Sequence, residues 1–151
     1  MISRVCQFLE GGFDHRHRTL PEILAKNDGW LESTHDYIQW LFPLDVKSGS
    51  SHEAPILTID DILRINDSEK AQVNIAKSVE RMIDFWSDND YWITRYNHNH
   101  LRITRVIKSL RLISGAEPAR DFQEWLKYRI GRRFNEIDPK AINYWDLRDV
   151  D

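Results

Sequence analysis

A chain of 151 residues with 41% apolar, 30% charged and 11% aromatic side chains, and only 6 Gly and 5 Pro, excludes a disordered or fibrous protein and fits one compact domain. A lone cysteine, Cys6, excludes an intramolecular disulfide and a Cys-based zinc site, and points to a reducing compartment. The net charge of −3 conceals a division: residues 95–133 hold ten Lys/Arg against three Asp/Glu, and the remainder holds eleven against twenty-one. Either the basic stretch docks on acidic helices inside the fold, or it offers a basic face to an anionic partner. A nucleic-acid domain is usually basic overall, which favours internal docking. The N-terminus lacks the apolar run of a signal peptide, and no stretch approaches the ~18–20 apolar residues of a membrane span. A soluble, cytoplasmic protein without membrane insertion is the expectation.

In chain order, Thr19-Leu20-Pro21-Glu22 combines a cap, a first-turn proline and an acid three residues after the cap, so a short helix begins there. Asn27-Asp28-Gly29 breaks it and caps a second helix from about Trp30 to Leu41, with Leu31, Thr34, Ile38 and Leu41 at helical spacing and Pro43 as its stop. Asp45 to Pro55, centred on Ser48-Gly49-Ser50-Ser51, reads as loop. Thr58 with Asp60 and Asp61 opens a third helix. Asn66-Asp67-Ser68 ends it and caps a longer one in which Ile75, Val79, Met82, Ile83 and Trp86 recur at three and four residues. After a turn at Ser87–Asp90 and an irregular Tyr91-Trp92-Ile93, a fifth helix runs from about His98 to a Gly115 C-cap. A sixth, opened by Glu117-Pro118, carries Phe122, Trp125, Leu126 and Ile130 and ends at Gly131. The tail from Arg132 contains Trp145 but no sustained period, and is expected to pack as an irregular arm. With no strand pattern and no repeat, the expected fold is all-α, a bundle of five to seven helices with short loops.

Two passages go beyond periodicity. One runs from His35 to Leu44 (His-Asp-Tyr-Ile-Gln-Trp-Leu-Phe-Pro-Leu) and is followed by Ala54-Pro55; the other runs from Asn97 to Leu110 (Asn-His-Asn-His-Leu-Arg-Ile-Thr-Arg-Val-Ile-Lys-Ser-Leu). Together, and in this order, they resemble the signature blocks of the opioid growth factor receptor conserved region, with the likeness extending from about Phe8 to Leu126. The resemblance implies a helical domain and, by the family's name, a receptor-type binding activity. Animal members are described as receptors for an enkephalin peptide associated with the nucleus and its membrane, and are longer than this chain. The resemblance implies no catalytic residues.

The same passages supply the candidate binding residues. His35, Asp36 and Gln39 could rim a pocket with Trp40 as an apolar wall, or cap neighbouring helices within a core. Asn97 and Asn99 precede Arg102 and Arg105, which lie three apart on one helix face and could grip a carboxylate or phosphate. They could equally pair with Asp36 or Glu32. The leading expectation is a module that binds a peptide or small anionic ligand through His35, Asp36, Gln39, Trp40, Asn97, Asn99, Arg102 and Arg105.

Two alternatives stand beside it. His15 and His17, and His98 and His100, form two H-x-H pairs; in extended chain each pair would share a face and could hold a metal for an enzyme, whereas in a helix they diverge. Lys127, Arg129, Arg132 and Arg133 could extend a nucleic-acid footprint with Arg105, Lys108 and Arg111, or simply satisfy a helix C-terminus. The sequence has no nucleophile elbow, phosphate-cradling glycine loop or dinucleotide fingerprint, so an ordinary hydrolase, kinase or dehydrogenase is not expected, nor a cofactor.

Overall fold

The structure, a computed structural model, describes residues 1–49 and 53–147. The centre of the expected Asp45–Pro55 loop and the last four residues of the tail lie outside the described residues. Helices account for the chain, as its pattern requires: among the described residues there are nine α-helices and one 3-10 turn, and the only β contacts are isolated bridges at Phe13–Thr19 and Leu44–Ile56. The chain divides into two compact units, residues 1–81 and 82–151.

The first unit begins with α1 (Arg4–Leu9), where the Ser3 hydroxyl accepts from the Cys6 N–H and Val5, Cys6, Phe8 and Leu9 are buried. α2 (Leu20–Leu24) starts where Thr19 accepts from the Glu22 N–H, and α3 (Asp28–Ser33) starts on the Asn27 side chain. α4 (Ile38–Leu41) is one turn, buried throughout. α5 (Ile59–Asp67) opens on a full capping box, Thr58 and Asp61 each accepting from the other's backbone N–H. α1 packs on α4 and α5. The Phe8 ring meets Trp40 edge-on at 5.7 Å, and the Cys6 thiol lies 3.5 Å from the Asp61 carboxylate. Arg64 pairs with Glu10 at 2.9 Å, while Asn74, on the first part of α6 (Glu69–Asp88), donates to the Leu9 carbonyl at 2.8 Å. Arg81 donates to the carbonyls of Leu24 and Lys26 and to the Asp28 carboxylate, closing the junction between α2 and α3.

The second unit is built on α7 (Asn99–Ile113) and α8 (Ala116–Ile130), which pack on each other across the Ser114-Gly115 connection. Gly115 sits at φ 107°, a conformation that suits glycine, and its N–H returns to the Leu110 carbonyl at 2.8 Å. Gly131, also at positive φ, ends α8 and leads into a 3-10 turn (Gly131–Glu136) and α9 (Pro139–Trp145). The last turn of α6 is capped from α8: Arg129 donates to the carbonyls of Trp86 and Asn89 at 3.0 and 3.2 Å.

Three elements differ from the sequence pattern. The expected helix from Trp30 to Leu41 is two helices, because Thr34 is extended at ψ 131°, Asp36 is drawn into an ion network, and the Tyr37 hydroxyl donates back to the Leu31 carbonyl at 2.7 Å. The irregular tail is instead largely helical: the Asp138 carboxylate accepts from the Lys140 N–H, Pro139 fits the first turn, and Trp145 is fully buried. α1 carries an N-terminal segment that periodicity alone left unassigned, so the helices exceed the five to seven expected.

Candidate functional site

In the first unit the segment between α1 and α2 brings Arg16, Arg18 and His15 onto Asp36. Asp14, 1% exposed, accepts from the backbone N–H groups of Arg16 and Arg18 and from Arg18 Nε at 2.8 Å, which orients the second arginine. Arg18 then donates from both terminal nitrogens to Asp36 Oδ1 at 3.2 Å, and Arg16 donates from Nε to Asp36 Oδ2. His15 Nε2 lies 3.2 Å from the same Oδ2 and 3.6 Å from Glu53. Burial alone would raise the Asp36 carboxyl, but the hydrogen bond from Arg16 and the charges of Arg18 and Arg16 outweigh it and hold the group below its ordinary value.

This network forms one wall of an open pocket of about 490 Å³ whose remaining lining is Trp30, Ser33, Thr34 and His35. Arg18 stands over the Trp30 ring at 5.4 Å and Lys26 over the same ring at 5.5 Å. Of the sequence candidates, His35 and Asp36 line this pocket. Gln39 is buried and donates to the His35 carbonyl at 3.0 Å. Trp40 is a wall, though of the interior: it stacks on His15 at 5.4 Å and 8°. His15 Nδ1 and Trp40 Nε1 are both buried without a hydrogen-bond partner among the described residues. Arg16, Arg18 and Trp30 were not among the candidates; the only sequence signal was the alternation of Asp14, Arg16 and Arg18 with His15 and His17, too short to define an element.

In the second unit Asn97, Asn99, Arg102 and Arg105 fall at the start of α7. The Asn97 side chain accepts from the Asn99 backbone and side-chain N–H groups at 2.9 Å, capping the helix. Arg102 is 5% exposed and donates to Asn99 Oδ1 at 3.3 Å, so it belongs to the interior. Arg105 is half-buried, and burial pushes its guanidinium below its ordinary value. A second pocket, of about 550 Å³, opens beside this turn, with Tyr96, Asn97, His98, His100, Leu101 and Thr104 on one side and Asp138, Lys140, Ala141 and Tyr144 from the tail on the other.

The histidine pairs do not act as pairs. His17, at φ 61°, stacks on Phe13 while His15 lies against Trp40. His98 is exposed, whereas His100 is buried with Nε2 2.8 Å from the Trp92 carbonyl, which assigns the ring proton to that nitrogen. Among the described residues no three His, Cys, Asp or Glu side chains are grouped to hold a metal. The basic cluster also divides: Arg129 caps α6, and Arg133 pairs with Glu136 and Asp90 at 2.9 and 3.3 Å.

Comparison with known proteins adds to this geometry. The family model for the opioid growth factor receptor (OGFr) conserved region matches residues 17–118. Opioid growth factor receptor of Rattus norvegicus is 30% identical over 98 residues, 53% of this chain and 17% of the relative; that of Homo sapiens is 32% identical over 101 residues, 53% and 14%. Opioid growth factor receptor-like protein 1 of Xenopus tropicalis is 34% identical over 111 residues, 60% and 22%. The chain thus spans less than a quarter of these relatives. No solved structure matches it. No helix among the described residues is long and apolar enough to cross a membrane.

Proposed function

We propose, for a chain that belongs to the opioid growth factor receptor conserved-region family, that it is a binding module which takes a peptide or small anionic ligand in the pocket of its first unit. The observation that carries this is the pair Arg16 and Arg18, held in place by Asp14 and Asp36 at the wall of an open pocket. Arg18 is consumed by the two carboxylates. Arg16 meets Asp36 through Nε and its side chain is 66% exposed, so its terminal fork suits a carboxylate. Trp30, Ser33 and His35 line the same pocket beside it. The relatives' names designate receptors for an opioid growth factor, which agrees with a ligand-binding role.

Calorimetric titration with short peptides bearing either a free C-terminal carboxylate or an amide tests this. The carboxylate form should bind the native chain more tightly, and Arg16→Ala should remove the difference with little change in melting temperature. Equal binding of both forms, or an unchanged preference in Arg16→Ala, contradicts the assignment.

A further inference from the structure

The pocket in the second unit takes no part in the reading above. Its mouth carries three large exposed apolar or aromatic side chains: Tyr96 at 71%, Leu101 at 77% and Tyr144 at 65% exposed. Each tyrosine already has a cation against it. The Arg95 guanidinium stands 5.6 Å from the Tyr96 ring centre and Lys108 Nζ stands 5.8 Å from that of Tyr144. Lys140 lines the pocket itself. Three cations therefore sit in or beside this pocket, whose one lining carboxylate, Asp138, accepts from the Lys140 N–H as the cap of α9. The facing His100 adds no charge at neutral pH, since burial pushes its imidazole below the ordinary value.

This arrangement selects its ligand. A cationic guest is disfavoured because Arg95 and Lys108 already occupy the tyrosine quadrupoles and Lys140 repels it. A purely aliphatic guest leaves the charges unused. A planar ring attached to an anion satisfies both features: a ring face stacks on tyrosine, and lysine or arginine meets the anion. The cavity of about 550 Å³ is of ligand size. We infer that Tyr96 and Tyr144, with Arg95, Lys108 and Lys140, form a site for unpaired nucleotides, in which bases stack on the tyrosines and phosphates lie on the cations. The interleaving of aromatic and basic residues is assembled only in three dimensions, because the tail supplies Lys140 and Tyr144.

The test is fluorescence anisotropy of the full chain with a labelled single-stranded oligo(dT), a duplex of equal length, and competing AMP. Single strand should bind in preference to duplex. With three phosphate-facing cations the slope of log K against log salt should be about −2. Tyr96→Ala and Tyr144→Ala should each weaken binding about tenfold, while Tyr144→Phe keeps the stacking face and stays near native. Tyr128→Ala, an exposed tyrosine of α8 outside the pocket, should bind as the native chain does. Competition by AMP assigns the pocket to a free nucleotide and competition by oligomers alone assigns it to a strand; both retain the site. Equal affinity for duplex, preferential capture of an acidic peptide such as poly(Glu,Tyr), or alanine variants that bind as tightly as the native chain would overturn it. None of these measurements depends on Arg16.

Discussion

The indole nitrogen of Trp86 donates to the side-chain oxygen of Asn99 at 3.2 Å, and the Arg102 guanidinium donates to that same oxygen at 3.3 Å. One amide on the first turn of α7 therefore ties the end of α6 to a buried arginine. Arg102→Ala should lower unfolding stability by about 2 kcal/mol in urea melts, the scale of a hydrogen bond to a charged group. Asn99→Leu should cost more, because two buried donors then lose one oxygen. The reverse ranking would show that the amide is not the shared anchor.

The ion network at Asp36 makes the first unit acid-sensitive. Its carboxyl is lowered in the fold, because the bond from Arg16 and the charge of Arg18 outweigh the upward push of burial. The stability it contributes is complete above the ordinary carboxylate value and is lost as pH falls through that value toward the folded one. Melting temperatures should fall below about pH 4 in the native chain, and by less in Asp36→Asn. Parallel acid profiles for the two proteins would place the response on other carboxylates.

A second pH response belongs to His100. Burial lowers its imidazole, against the weaker upward pulls of the Trp92 carbonyl and the Asp138 charge. The unfolded chain takes up this proton near its ordinary value of about 6.5. The folded chain resists, so stability is full above that pH and declines as pH drops below it. His100→Gln should flatten the stability profile between about pH 7 and about pH 5. A slope that survives the substitution excludes this histidine as the source.

Trp145 should be the costliest single truncation in the tail. It is fully buried, meets His100 edge-on at 5.5 Å, and donates from Nε1 to Thr104 at 3.0 Å, while its carbonyl accepts from Gln123 at 2.8 Å. Trp145→Ala should cost about 4 kcal/mol, the usual range for emptying a large aromatic site. Hydrogen exchange should locate the loss in residues 139–145. Rapid exchange already present in the native chain would contradict this packing.

Sequence legibility followed the range of the interactions. Caps at Thr19, Asn27 and Thr58 and the glycine stops at 115 and 131 were readable because cap and partner lie within five residues. Asp138-Pro139 was an equally local signal for α9, and went unread because the apolar period behind it is only two turns long. Arg16 and Arg18 were invisible for a different reason. Their meeting with Asp36 depends on an irregular connection with positive φ at His17, which no period encodes. Arg102 and Arg105 share a helix face by spacing, yet α7 is apolar over a wide arc, and its buried positions extend to Arg102.

The family-matched span, residues 17–118, ends three residues into α8 and begins after α1. Yet Phe8 lies before it and covers Trp40, while Trp145 lies after it and covers His100. The shared region is thus an unfinished interior that borrows both its lids from flanking sequence. A fragment cut at the family limits would present two bare aromatic surfaces to water, and self-association is its expected fate.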